Sequence, residues 1–381
     1  MTPRNEVDSA EAKSIAGLYG IDFRTVVPVG GGFSGACVLR VEDSSGAAFA
    51  FRRTPATDVM LAARYCEMVA LLRDMASRGC GLIPVPLRHQ QQFLVIPQPP
   101  HASAFVNFDH SRTRIQTNDG VWQVEPWMPG QPAYGPPTPS QVKSALEALA
   151  QLHKAAADSV EARSAEQSAA QWFHVSEERS PGIARRLSIV TELSDGLLAR
   201  FIKSAAAEPD PEFQKCAKRL CATLEFWLPW LTKQLAEASR FSYRLQPVIR
   251  DLWKPHVLFN AERVTGIIDL NAMATDHVGL DVTRLFRSWF GSEVERIREA
   301  INQFRAQPSL DEHECRLLEA FDAATVLLSP VTWLRRRFVN SSAECISRDV
   351  LDRLSELTIL ADGFEPLGLS ITSASQIPHR H

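Results

Sequence analysis

The sequence predicts an α+β protein in two parts, a small strand-rich region followed by a larger helical one. Three observations carry that reading. Residues 36–53 alternate apolar and polar positions, the period of half-buried strands. Residues 128–139, within "MPGQPAYGPPTPS", are dense in proline and glycine and read as a linker. From 140 to about 370 the apolar spacing is helical, broken by one hairpin pattern. The expected organisation is therefore 1–127, linker 128–139, helical part 140–370 and a loose tail 371–381, "ITSASQIPHRH".

The elements follow in order. In "ACVLRVE", Cys37, Leu39 and Val41 share one face of a strand. The turn "DSSG" (43–46) joins it to "AAFAFRR", giving a hairpin. "DVMLAARYCEMVALLRDMASRG" is an amphipathic helix closed by Gly79. "QQFLVI" and the pair "SRTRIQ"/"VWQVEPW" around "TNDG" supply further antiparallel strands. Thr138-Pro139-Ser140-Gln141 fits a capping box with proline at the first helical position. Helical spacing recurs over 180–240 and 281–360, and "HVLF" and "RVTGIID" form a hairpin through "NAER".

Composition narrows the function classes. With 45% hydrophobic and 22% charged residues the chain is of ordinary globular type. A net charge of −3 gives no reason to expect nucleic acid or an anionic membrane as partner. No apolar run reaches the ~20 residues of a bilayer span, and the first residues lack a secretory layout. The 7 cysteines are scattered without CxxC pairs, which suggests reduced thiols and a cytoplasmic location.

The chemistry concentrates in "VIRDLWKPHVLFNAERVTGIIDL", where Asp251 and Asp269 each close an apolar run. A carboxylate beside buried backbone needs a partner, whether a metal, a phosphate-bearing cofactor or structural hydrogen bonds. The period Asp251-x-x-x-x-His256 matches the D-x-x-x-x-N of kinase catalytic loops, and the following hairpin returns Asp269 to the same place. Asp251 then suits a general base and Asp269 a metal ligand, with His256 a weak or altered second ligand because Mg²⁺ prefers oxygen. Upstream, "GGGFSG" matches G-x-G-x-x-G at Gly30, Gly32 and Gly35, with Ser34 between. A strand rather than a helix follows, which fits a phosphate-covering loop and equally a flexible hairpin turn. In "AFAFRR" the period of two places Arg52 with Ala48 and Ala50, the register of V-A-I-K, with Glu67 on the next helix as its ion-pair partner. A solvated strand end and a surface glutamate are the plainer readings. Trp227, Trp230 and Trp289 could line a pocket for a cation, though core packing explains them first.

Together these motifs resemble the aminoglycoside phosphotransferase and choline kinase-like family, whose pattern H-G-D-x-x-x-x-N-V-L-F…G-V-I-D-F stands here as "IRDLWKPHVLF…GIIDL". "DHVGLDVTRLF", "QVEPWMPG" and "EALAQLH" resemble three further family segments. The resemblance runs from about Phe23 to the helices near residue 360. It implies a protein-kinase-like two-lobe fold, an antiparallel-sheet N-lobe and a mainly helical C-lobe with an embedded hairpin. It implies ATP or GTP with Mg²⁺ or Mn²⁺, nucleotide contacts from the glycine loop, Arg52, Glu67, Glu125 and Trp127, and a small-molecule hydroxyl acceptor. Asp251 with Arg250 would be catalytic, Asp281 would brace the loop, and His153 reads as a core histidine. Four positions depart from the pattern: Ile249, Arg250, His256 and Arg52 replace histidine, glycine, asparagine and lysine.

The expectation is a phosphotransferase acting on a small-molecule hydroxyl. Its rival, motivated by Arg52, Ile249 and His256, is a nucleotide-binding pseudokinase-like regulator. A metal-dependent hydrolase built on Asp251, His256 and Asp269 ranks last, because it gives the glycine loop no role.

Overall fold

The computed structural model describes residues 9–29, 36–55, 62–89, 114–117, 120–166, 172–305, 310–340 and 346–369. The glycine cluster 30–35, the "QQFLVI" segment, part of "TNDG" and the tail lie outside the described residues. Two compact units are present. One comprises Met1–Gln131, Lys154–Phe173 and Leu258–Ile268, the other Pro132–His153, His174–Val257 and Asp269–His381.

The first unit is built on a five-stranded sheet of order β1-β2-β3-β5-β4, all antiparallel. Its strands are β1 (Phe23–Val29), β2 (Cys37–Asp43), β3 (Ala48–Thr54), β4 (Arg114–Thr117) and β5 (Gly120–Pro126). The β2–β3 turn forms where expected. Asp43 Oδ1 accepts from the N–H groups of Ser45 and Ala47, and Gly46 takes φ +86°. Leu39, Phe51 and Val124 stand opposite one another across three strands and are all buried. That puts Phe51 on the core face and Arg52 on the other, as the period of two requires.

Helix α1 (Ser9–Leu18) covers this core with Ala12, Ile15 and Ala16. It was not anticipated, although Ala12, Ile15, Ala16 and Tyr19 have the i, i+3, i+4, i+7 spacing of a buried helical face. Its Glu11 accepts from Trp122 Nε1 at 3.0 Å and pairs with Arg53 at 3.4 Å. Helix α2 (Ala62–Ser77) ends in a Schellman turn, with Gly79 at φ +90° and Cys80 N–H donating to the Met75 carbonyl at 3.0 Å.

Beyond the short strand β6 (Gln131–Pro132), helix α3 (Pro139–Glu166) opens with the anticipated capping box. Gln141 N–H donates to Thr138 Oγ1, and Thr138 N–H donates to Gln141 Oε1.

The second unit is helical around a small sheet of order β11-β8-β7: β7 (Ser176–Glu178), β8 (Tyr243–Val248) and β11 (Ala274–Asp276). None of these three was anticipated, because short strands with Pro247 inside give no alternating signal. The hairpin β9 (Val257–Asn260) and β10 (Arg263–Ile267) is where the sequence placed it; it pairs with β6, and all of it after Val257 belongs to the first unit. Helices α4 (Pro181–Glu192), α5 (Leu198–Ala206), α6 (Pro211–Ala238), α7 (Gly279–Phe290), α8 (Val294–Arg305), α9 (Glu312–Leu328), α10 (Val331–Phe338) and α11 (Arg348–Asp362) complete the unit. Its core joins Leu224 and Leu231 of α6 with Phe321 and Leu327 of α9 and Leu354 of α11. The apolar stretch Glu312–Phe338 is long enough to cross a bilayer, but 89% of its most apolar window is buried among these helices. Inside the same layer Arg287 holds Asp322 in a fully buried ion pair and donates to the Gly291 carbonyl.

Candidate active site

Strand pairing explains why two aspartates 18 residues apart meet. Val248, the last residue of β8, is paired with Ala274 of β11. Asp251 lies three residues beyond the first and Asp269 five before the second. The intervening hairpin is an excursion from one point and back to it.

The loop leaving β8 is tied to α7 by one carboxylate. Asp281 is fully buried; its Oδ2 accepts from Ile249 N–H at 2.8 Å and its Oδ1 from Arg250 N–H at 2.7 Å. His153 Nε2 lies 2.9 Å from Oδ2, and since a carboxylate only accepts, that nitrogen carries the proton. The expected bracing role of Asp281 is thus visible as three hydrogen bonds, and His153 (5% exposed) is a satisfied core residue. The N-cap of α7 is Val278, so Asp281 lies inside the first turn of the helix.

Arg250 adopts φ +69° and Asp269 φ +63°. This left-handed region costs a non-glycine residue roughly 1–2 kcal/mol. At Arg250 the cost is met by the Asp281 contact, which fixes the N–H of this very residue. The bend turns Asp251 away from the buried Ile249 and Leu252 and leaves its side chain 46% exposed. Asp251 Oδ1 accepts from Trp253 Nε1 at 2.6 Å and from Arg284 Nη2 of α7. Burial pulls the Arg284 guanidinium below the ordinary arginine value, and the adjacent Asp251 charge opposes that shift. The Trp253 ring carries two guanidiniums, that of Arg284 at 4.1 Å and that of Arg353 of α11 at 4.8 Å from its centroid. Burial together with the neighbouring charge of Arg284 also pushes Arg186 down to about 10, against the pull of Asp276. The surroundings of Asp251 are therefore rich in arginine.

His256 closes the loop in a short turn, Lys254–His256. Its Nδ1–H donates to the Asp251 carbonyl at 2.9 Å, which leaves Nε2 facing Asp269 Oδ2 at 3.7 Å. An imidazole nitrogen and a carboxylate oxygen thus face each other across a gap too long for a hydrogen bond. This donor set fits a divalent cation, although among the described residues no group of three or more His, Cys, Asp or Glu converges.

The other candidates belong to the first unit. Arg52 stands on β3 opposite Val38 and Gln123. Glu67 of α2, the partner expected for Arg52, has its Oε1 receiving the N–H groups of Trp172 and Phe173 at 3.1 and 3.0 Å. Glu125 Oε2 accepts from Gln123 Nε2 at 3.1 Å, and Trp127 N–H donates to the Ala48 carbonyl at 2.9 Å. The segment after Trp127 is held by Thr265 Oγ1, which donates to the Pro129 carbonyl at 2.6 Å. Gly30, Gly32, Ser34 and Gly35 fall outside the described residues. Trp227 and Trp230 stack edge-on with each other, Trp227 also with Phe364, and both lie in the helical core; Trp289 is buried as well.

Sequence reasoning missed Arg284, Trp253 and Arg353. Arg284 had a usable signal, since it follows Asp281 by three on one helix and so shares its face. Arg353, about 100 residues from Asp251, had none.

An antiparallel sheet with a helix, followed by a helical unit bearing a braced aspartate loop and a second aspartate after a hairpin, is the architecture of kinase-like phosphotransferases. The chain belongs to the phosphotransferase enzyme family, whose sequence model matches residues 25–318. Solved structures agree on the fold. An aminoglycoside phosphotransferase from Alicyclobacillus acidocaldarius is similar at 15% identity, with 95% of each chain covered and a TM-score of 0.55. The GDP complex of aminoglycoside 2'-phosphotransferase-IIIa gives 14% identity, coverage of 93% of this chain and 97% of that one, and a TM-score of 0.56. Amicoumacin kinase hAmiN, in complex with AMP-PNP, Ca²⁺ and Ami, gives 11% identity, coverage of 97% and 98%, and a TM-score of 0.56. None of the curated proteins matches the chain.

Proposed function

We propose that this phosphotransferase moves the γ-phosphoryl group of ATP or GTP to a hydroxyl of a small molecule, in the cytoplasm. The observation that carries the reading is the state of Asp251: one carboxylate oxygen is fixed by Trp253 and Arg284, and the side chain is still half exposed. A base held this way keeps its other oxygen for the acceptor hydroxyl proton, and its orientation is set before the acceptor arrives. The solved relatives in complex with GDP, and with AMP-PNP and Ca²⁺, support a purine nucleotide and a divalent cation as the other participants.

In this reading Asp251 Oδ2 receives the hydroxyl proton as the oxygen bonds to the γ-phosphorus and the bond to the β-phosphate oxygen breaks, releasing the nucleoside diphosphate. Arg284, at the opposite oxygen, keeps the carboxylate from rotating. Asp281 holds the Ile249 and Arg250 N–H groups, so the loop does not shift when the proton moves. Asp269 with His256 would hold the divalent cation, which when bound neutralises charge on the nucleotide phosphates. The glycine cluster, Arg52, Glu67, Glu125 and Trp127 would serve the nucleotide.

The test is transfer of label from γ-labelled ATP or GTP, with Mg²⁺ or Mn²⁺, to a panel of amino sugars, amino alcohols and sugars. Asp251→Asn should lower turnover by roughly 100-fold or more, the usual contribution of a general base. Nucleotide binding without any Asp251-dependent transfer would reject the enzymatic reading.

A further inference from the structure

We infer that the His256–Asp269 pair makes this a nitrogen–oxygen metal site that prefers a borderline divalent ion such as Mn²⁺ over Mg²⁺. The inference rests on the proposed nucleotide-dependent phosphotransfer and specifies the metal that this site takes. Three features of the pair support it.

The first is the tautomer. A carbonyl oxygen only accepts, so the 2.9 Å contact to the Asp251 carbonyl places the proton on Nδ1. That leaves Nε2 as the ring atom able to offer a lone pair to a metal. Metal-binding histidines are commonly oriented in this way, with the far ring N–H donated to a main-chain carbonyl.

The second is the gap. Nε2 and Asp269 Oδ2 are 3.7 Å apart. Metal bonds to imidazole nitrogen and carboxylate oxygen run about 2.0–2.2 Å each, so two of them span 3.7 Å through one ion. The two atoms are too far apart to hydrogen-bond to each other directly, and close enough for one ion to touch both.

The third is backbone placement. Asp269 is held at φ +63°, a conformation that a non-glycine residue adopts at a cost. His256 sits in a hydrogen-bonded turn and is itself tied to the Asp251 main chain. Both donors are therefore placed by the fold before any ion binds. Two protein donors leave room for phosphate oxygens and water, which makes metal affinity depend on nucleotide.

The donor chemistry sets the preference. Mg²⁺ demands oxygen ligands at near-ideal octahedral positions, whereas imidazole suits the transition metals. The same aspartate with an amide oxygen at position 256 would lose that bias.

The test uses the full chain with AMP-PNP, so that no turnover is involved. Mn²⁺ binding is followed by loss of the free-ion EPR signal, Mg²⁺ by competition, and the ligand atom by pulsed EPR. The expected result is ¹⁴N coupling to Mn²⁺ in the wild-type chain. The ratio of Mn²⁺ to Mg²⁺ affinity should fall roughly tenfold in His256→Asn, and the coupling should disappear. AMP-PNP binding with no ¹⁴N coupling, or with a ratio unchanged by the substitution, overturns the metal preference and leaves the phosphotransferase reading standing. Failure of AMP-PNP to bind with any metal overturns both. Because AMP-PNP itself contains nitrogen, the coupling is assigned by its change to ¹⁵N when the wild-type chain carries ¹⁵N-histidine, so the conclusion does not depend on the variant folding.

Discussion

Asp281→Asn removes one oxygen from a buried carboxylate that receives three donors. The better orientation keeps the remaining oxygen toward Ile249 N–H and His153 Nε2–H and turns the new amide nitrogen toward Arg250 N–H. Two hydrogen bonds then weaken from charge-assisted to neutral, at about 1 kcal/mol each, and one buried N–H is left facing a donor, at roughly 1–3 kcal/mol. The sum is about 3–5 kcal/mol. For a unit of about 200 residues each kcal/mol moves Tm by roughly 2–4 °C, so the loss is roughly 6–20 °C. Thermal scans by circular dichroism read the stability, and phosphoryl transfer at a temperature where both proteins are folded reads the loop. Turnover should fall in the folded variant, because Arg250 and Asp251 lose their fixed main chain. A Tm within about 2 °C of wild type would refute the reasoning: the loop would then be held by something other than this carboxylate.

Two further outcomes follow from the same geometry. Trp253→Phe keeps an aromatic ring for Arg284 and Arg353 but removes the indole N–H from Asp251 Oδ1. Steady-state kinetics should show kcat down several-fold, with stability lowered by only about 1 kcal/mol; an unchanged kcat would mean that Arg284 alone orients the base. Far from the site, the side-chain hydrogen bonds from Arg337 hold the buried Glu208 carboxyl below the usual glutamate range. The folded group then binds its proton less readily than the unfolded one. Its contribution is full above the ordinary value of about 4.3 and fades as pH falls through the lowered one. Tm measured from pH 7 to pH 3 should therefore fall less steeply for Glu208→Gln, and parallel curves would contradict this.

Much of the site was legible because it depends on short-range rules. The Asp251-to-His256 period, the return of Asp269 by a hairpin, the Gly79 terminator and the Thr138–Gln141 box each need only a few neighbouring residues. The resemblance supplied Asp281, whose three partners lie up to 128 residues away. What stayed hidden depends on long-range packing. Nothing near Glu67 signals that its carboxylate will meet the N–H groups of Trp172 and Phe173, 105 and 106 residues on. Strand β8 was obscured by its own proline, and α1 by a segment read only for what it lacked.

The span matched by the family ends at residue 318, yet Arg353 of α11 lies against the Trp253 ring, whose N–H steadies Asp251. Helix α11 is thus a strut of the reaction centre. Helix α11 is itself anchored to α6, with Asp362 accepting from Arg219 and Thr223, so the position of Arg353 is set by the helical core; a chain cut before Arg348 would lose this support of its base.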